Sequence, residues 1–203
     1  MVSSQQTQQP QEISSAQPVS WIRGIVFTAL FAALFILFSS VQFPVWFTPV
    51  PYTLQTLAVM LAGGLLGAFY GFWSIALVIA LTATGLPLLH GNGGLSYLTG
   101  ATGGFIWLFP VAALLIGLVS DRLFRNRKTI GGKQSLWLLA AIVAFGILME
   151  YAGGMAWLMY KTGMSLPKAL SAACYPFLPG DAAKAVIAVF LVRTLRPFLP
   201  KLR

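Results

Sequence analysis

Apolar residues run along this chain in long unbroken stretches, separated by short breaks that are polar or rich in Gly and Pro. Trp21 to Val41 makes the first stretch, 21 residues. As a helix it spans about 31 Å, enough to cross the hydrocarbon core of a bilayer. Further helices are predicted over Thr53–Gly67, Tyr70–Leu86, Phe105–Val119, Leu136–Tyr160 and Gly180–Leu195. The break at Gly67–Gly71 is so short that the second and third form a hairpin. Phe43–Pro51, with Pro44, Pro49, Pro51, Trp46 and Phe47, reads as an interfacial loop. Gly91–Gly104 is a Gly-rich polar loop, Asp121–Lys133 a basic loop, and Lys161–Pro179 an amphiphilic connection. Met1–Ser20, rich in Gln, Ser and Pro, reads as a disordered cytoplasmic tail and lacks the features of a signal peptide. The expected organisation is that tail followed by one six-helix membrane domain, residues 21–203.

Composition sharpens the class. Charged residues make up 8% of the chain and hydrophobic residues 58%, against about 25% and 45–50% in soluble domains. Gly24 to Ser120, 97 residues, contain no Asp, Glu, Lys or Arg. A water-soluble surface, a disordered chain and a disulfide scaffold are excluded. The runs are continuous rather than alternating, so the chain is all-α and polytopic, not a barrel.

The net charge of +9 would suggest nucleic acid in a soluble protein. Here its placement sets topology. Arg23, Arg122, Arg125, Arg127, Lys128, Lys133, Arg193, Arg196, Lys201 and Arg203 fall on one side of the six-span arrangement, and Lys161, Lys168 and Lys184 on the other. The positive-inside rule then places both termini in the cytoplasm. The Pro/aromatic loop, the Gly-rich loop and the entry to the last helix face outward together, a plausible lidded pocket.

Few residues can carry chemistry. Asp181 and Lys184 sit three apart at the start of the last helix, on one face. Ionisable residues at membrane depth are costly and usually have a partner or a role. The pair is either a self-satisfied ion pair beside the helix N-terminus or a ligand site offering an acceptor beside a donor. Glu150, inside an apolar helix, is either a relay group or a carboxyl bonded to a neighbouring helix. Gln55, between Thr53 and Thr56, can donate and accept, or serve helix capping and interhelical bonding. Asn92, Ser96, Tyr97, Thr99 and Thr102 supply the polar groups of the Gly-rich loop, as ligand contacts or as a solvated turn. His90 reads as a loop residue and Cys174 as packing. One histidine and one cysteine make no metal site, and no nucleotide-binding or hydrolase motif is present. The chain therefore has no visible means of hydrolysing ATP. Ala29 and Ala33 form a small-xxx-small pattern that admits a closely packed helix, within the bundle or from a partner.

Thr53-Leu54-Gln55-Thr56-Leu57, Gly93-Gly94 leading into Gly100-Ala101-Thr102-Gly103-Gly104-Phe105, Tyr151 through Gly154 to Trp157, and Pro176-Phe177-Leu178-Pro179-Gly180-Asp181 with Lys184-Ala185 resemble, in order and spacing, the BioY family. These are the biotin-specific S components of energy-coupling factor (ECF) transporters. The likeness runs from the first helix onward. It implies a six-helix S-component fold and an outward biotin pocket in which Asp181 and Lys184 bind the ligand. It also implies docking to a transmembrane T component through Ala29 and Ala33, energy from two ABC-type ATPases, and residence in the plasma membrane. The chain itself would need no cofactor and bind no nucleic acid. Gln55, Asn92 and Tyr97 join the expected site by topology and chemistry, and Trp157, Tyr97 and Leu98 could cover the apolar ring. The family's usual Gly-Pro-Thr-Gly-Gly reads Gly100-Ala101-Thr102-Gly103-Gly104 here, which loosens that turn. An S component for another vitamin, or a solitary ion-coupled carrier using Asp181, Lys184 and Glu150, are the alternatives.

Overall fold

The structure is a computed structural model that describes residues 17–43, 46, 48 and 50–200. The expected disordered tail lies largely outside the described residues. Its last four residues instead belong to the first helix, α1, Gln17–Ser40. Among the described residues, four stretches are long and apolar enough to cross a membrane: Trp21–Ser40, Gln55–Ala83, Gly103–Phe124 and Gly132–Thr162. A fifth is a pair bent by 51°, Leu166–Ala173 with Leu178–Phe198. A multi-pass helical membrane protein is the consequence, since every backbone polar group in lipid must be satisfied within its own segment.

The 29 residues of Gln55–Ala83 do not make one rod. α2 (Gln55–Leu61) continues through a π-helical turn, Ala62–Leu66, and then meets α3 (Gly67–Ala83). Gly67 has φ +82°, a left-handed conformation open to glycine at no steric cost. The chain folds back there, and Gly71 packs on the backbone of Ala62 and Gly63. Sequence reading placed the hairpin but gave it a five-residue break; one glycine suffices, and α3 starts earlier and ends at Ala83. The Asp121 carboxylate accepts from the Ala68 N–H at 3.1 Å, an anion at the start of α3 where the helix dipole favours it. Arg196 ties this corner to the C-terminal helix, bonding Asp121 Oδ1 at 2.5 Å, the Gly64 carbonyl at 2.7 Å and the Ser120 hydroxyl.

The remaining elements run in sequence order. Two-residue strands β1 (Gln42–Phe43) and β2 (Tyr52–Thr53) pair antiparallel, an interruption the sequence pattern did not signal. The loop between them is described only in part; Pro44, Phe47 and Pro49 lie outside the described residues. α4 (Leu95–Leu98) is a single turn within the Gly-rich loop, and α5 (Gly103–Phe124) follows. α6 (Gly132–Val143) continues through a second π-helical turn, Ala144–Leu148, into α7 (Met149–Thr162). The amphiphilic connection holds α8 (Leu166–Ala173), and α9 (Leu178–Leu195) starts at Pro179 in its first turn. Proline is pre-organised there because that N–H has no intrahelical partner.

Close backbone approach at small residues assembles the bundle. A Cβ on Gly63 would strike the Ala113 carbonyl of α5, whereas one on Gly132 would meet nothing within 4 Å. Gly63→Val is therefore expected to destabilise the protein by about 1–3 kcal/mol or more through overpacking. Gly132→Ala should leave stability unchanged. Thermal unfolding in detergent compares the two, and equal melting temperatures would refute the packing argument.

Candidate functional site

A cavity opens where α2, α5, α7 and α9 converge beneath the β1–β2 connection and the Gly-rich loop. Its polar lining is Thr53, Gln55, Thr56, His90, Thr102, Glu150, Tyr151, Asp181 and Lys184. Phe105, Ile106, Phe109 and Phe177 supply apolar wall, and Val50 and Pro51 the rim. It lies at the end of the bundle opposite the Arg196–Asp121 corner.

Asp181 and Lys184 form its centre. One helical turn apart on α9, they are 4% and 5% exposed, and Lys184 Nζ lies 2.8 Å from Asp181 Oδ1. Lys184 also donates to the Thr53 carbonyl at 2.6 Å and to Thr56 Oγ1 at 3.1 Å. An ammonium has three protons, so these acceptors occupy it fully. Its Nζ also sits 4.3 Å from the centre of the Tyr52 ring, a cation–π contact. Tyr52 stacks on Phe177, and its hydroxyl lies over Gly180, where any Cβ would collide. The Asp181 carboxylate accepts from Thr56 at 3.1 Å through Oδ1 and from the Tyr151 hydroxyl at 2.6 Å through Oδ2. Oδ2 retains a free lone pair. The ion pair is self-satisfied and at the same time borders the cavity.

Unused capacity lies elsewhere. Among the described residues, the buried side-chain atoms without a hydrogen-bond partner are Gln55 Nε2, His90 Nε2 and Glu150 Oε1. All three residues line this one cavity. Native proteins rarely leave buried polar groups unpaired, because each costs about 1–3 kcal/mol. Three such atoms around one cavity describe a surface shaped for a small polar ligand.

The Gly-rich loop is built around His90. Its backbone N–H donates to Ser39 Oγ at the end of α1, 2.8 Å. Its carbonyl accepts from Asn92 Nδ2 at 2.9 Å, and its Nδ1 pairs with the Tyr97 hydroxyl. Burial pushes the His90 imidazole below its ordinary pKa, so it is neutral at physiological pH. Burial likewise pushes the Tyr97 phenol up to about 12.

Of the residues singled out in the sequence, Asp181, Lys184 and Gln55 meet in the cavity. Tyr97 stands behind its wall, joined through His90. Asn92 is exposed and pins the loop turn, and it is not among the lining residues. Trp157 is also absent from the lining: its indole donates to the Gly100 carbonyl at 2.8 Å and its side chain packs on Gly104. Phenylalanines from α5 and from the residue just before α9 provide the apolar surface expected of Trp157, Tyr97 and Leu98. Glu150, Tyr151 and His90 were not assigned to the site from sequence. Glu150 carried a signal as an acid inside an apolar helix; His90 carried none. Ala29 and Ala33 are both exposed, while Ala32 is buried. The small-residue pair is therefore not used within the bundle.

Known proteins share this sequence pattern and fold. The sequence profile of the BioY family matches residues 6–201. A biotin transporter BioY of Rhizobium etli is 37% identical over 185 residues, covering 88% of this chain and 97% of the relative. One of Rhodobacter capsulatus is 38% identical over 190 residues, 88% and 95% of the two chains. The crystal structure of the S component for biotin from an ECF-type ABC transporter superposes with a TM-score of 0.78 at 32% identity, covering 86% of this chain and 91% of that one. With the profile matched along nearly the whole chain and the fold shared with a solved biotin S component, the chain belongs to the BioY family, which comprises transporter components and not enzymes.

Proposed function

We propose that this chain is the substrate-capture subunit of an ECF-type uptake system and that its ligand is biotin. The observation that carries the reading is the cavity at the Asp181–Lys184 pair, where Gln55 Nε2, Glu150 Oε1 and His90 Nε2 stand buried and unpartnered. The biotin transporters among its relatives support the choice of ligand.

Biotin presents two ureido N–H donors, one ureido carbonyl, an apolar thioether ring and a carboxylate tail. Asp181 Oδ2 and Glu150 Oε1 are the acceptors with spare capacity for the N–H groups. Gln55 Nε2 is the unoccupied donor for the ureido carbonyl. Lys184 is engaged with Thr53, Thr56 and Asp181; it holds the carboxylate in place and reaches the ligand by exchanging one of these acceptors. The phenylalanines enclose the ring. Each polar group unmatched by a wrong vitamin is left buried and unpaired, which is the source of discrimination.

The membrane arrangement follows the same reading. Division of Gln55–Ala83 at Gly67, with α1, α5, α6–α7 and α9, makes six spans. The ten cations on one side of that arrangement place both termini in the cytoplasm and the cavity on the outer face of the plasma membrane. Ala29 and Ala33 dock a T component, and two ABC-type ATPases supply the energy. The captured vitamin is cargo, and the chain works without a cofactor of its own.

Equilibrium binding of labelled biotin to the detergent-purified chain, competed by other vitamins, tests the proposal. Tight binding displaced by biotin alone is expected, and displacement by a different vitamin would overturn the assignment. Gln55→Leu keeps the bulk of the side chain but removes the amide. It is expected to weaken biotin roughly tenfold, the value of one neutral hydrogen bond, as measured by the same titration.

A further inference from the structure

We propose that His90 is a specificity-determining residue whose Nε2–H donates to the carboxylate of the captured ligand. The inference rests on the biotin reading above and extends it to the acidic end of the molecule.

The hydrogen bond at Nδ1 decides which ring nitrogen bears the proton. The Tyr97 hydroxyl is the hydrogen-bond partner of His90 Nδ1, and in the proposed arrangement the phenol donates to it. A neutral imidazole carries one proton. With Nδ1 accepting, that proton sits on Nε2, the nitrogen that is buried, unpartnered and part of a residue lining the cavity. Tautomers are assigned from such networks, and the proposed one leaves a donor at the unpartnered nitrogen.

The loop is arranged to hold the ring there. His90 has φ +56°, a left-handed backbone that few non-glycine residues adopt. Such a conformation persists where surrounding bonds enforce it and is concentrated at ligand-binding positions. The bonds run from its N–H to the Ser39 hydroxyl oxygen and from the Asn92 amide to its carbonyl. Asn92 and Tyr97 thereby act on the ligand through His90, as positioning residues.

The chemistry selects the carboxylate as the acceptor. Asp181 and Glu150 are acids and suit the ureido N–H groups. His90 enters from the outer loop, the direction in which a flexible acidic tail extends when the ring is enclosed by Phe105, Ile106, Phe109 and Phe177. A neutral donor also binds a carboxylate without placing a further buried cation beside Lys184.

The chain contains one histidine, so its imidazole nitrogens can be observed without assignment. The full chain, labelled with 15N-histidine and purified in detergent, is examined free, with biotin, and with an analogue in which a methyl group replaces the carboxylate. Expected are a protonated Nε2 and an unprotonated Nδ1 in the free protein, and an Nε2 resonance that moves with biotin but not with the methyl analogue. Tyr97→Phe should give a mixture of tautomers. In binding, His90→Ala should weaken biotin roughly 10- to 100-fold, the range for a hydrogen bond to a charged group, and leave the methyl analogue within about twofold of its wild-type value. An Nδ1–H tautomer, an Nε2 resonance indifferent to the carboxylate, or equal loss for both ligands would overturn the proposal while leaving biotin capture standing. Failure of the wild-type chain to bind biotin would overturn both.

Discussion

Asp181→Asn is expected to abolish high-affinity biotin binding, and Lys184→Ala to do the same. The two changes act through one buried pair. Asn keeps the shape of Asp but loses the charge. A ligand N–H then meets a neutral amide in place of a carboxylate, and Lys184 is left as an uncompensated cation at 5% exposure. Removing one partner of a buried ion pair costs about 3–5 kcal/mol, so each single variant should also lose thermal stability. The double variant Asp181→Asn with Lys184→Met removes the lone charge. It should regain much of that stability and none of the binding. This separation distinguishes a ligand site from a merely structural pair. Titration with labelled biotin and thermal unfolding, run on all three variants, give the comparison. Wild-type affinity in Asp181→Asn, or recovery of binding in the double variant, would remove these residues from the site.

The double variant Ala29→Trp with Ala33→Trp is expected to bind biotin as the wild type does and to lose ATP-driven uptake. Both alanines face outward on α1 beside exposed Ile25, Val26, Leu30 and Leu37. Apolar contact alone gives a helix no reason to associate in lipid, so docking relies on small residues that let two backbones come close. Two indoles on that face hold a partner helix off by several ångströms. Copurification with the T component and ATPases, together with uptake in cells expressing all subunits, provides the measurement. Full uptake with both tryptophans in place would put the docking face elsewhere. Uptake that survives without any ATPase but collapses with the proton gradient would favour the solitary carrier.

The elements and the site differ in how far they can be read from the residues. The helical runs were legible because lipid permits few ways of satisfying a backbone, and each run must supply its own hydrogen bonds. Asp181 and Lys184 were legible because i, i+3 spacing on any helix sets two side chains on one face. The turn at Gly67 was blurred into five residues, since nothing in Gly67-Ala68-Phe69-Tyr70-Gly71 says which glycine takes the left-handed conformation. Topology and chemistry put Asn92 in the expected site, and Trp157 joined it as a cover for the apolar ring. The loop directs one to the His90 carbonyl and the other to the Gly100 carbonyl. Glu150 stood out as an oddity of composition, but its neighbours come from other helices.

What the sequence by itself determined is the class of solvent this chain is built for, the order of its helical runs and the pair of opposite charges one turn apart on α9. Those follow from local rules: the cost of bare backbone in hydrocarbon and the 3.6-residue period. Only the tertiary structure decided that Thr53, Thr56 and Tyr151, from α7 and from in and just before α2, close around that pair, and that Gln55, Glu150 and His90 keep unspent hydrogen-bonding capacity toward one cavity. Such a convergence depends on which helix faces meet and on how a loop is pinned, and no periodicity along the chain encodes either.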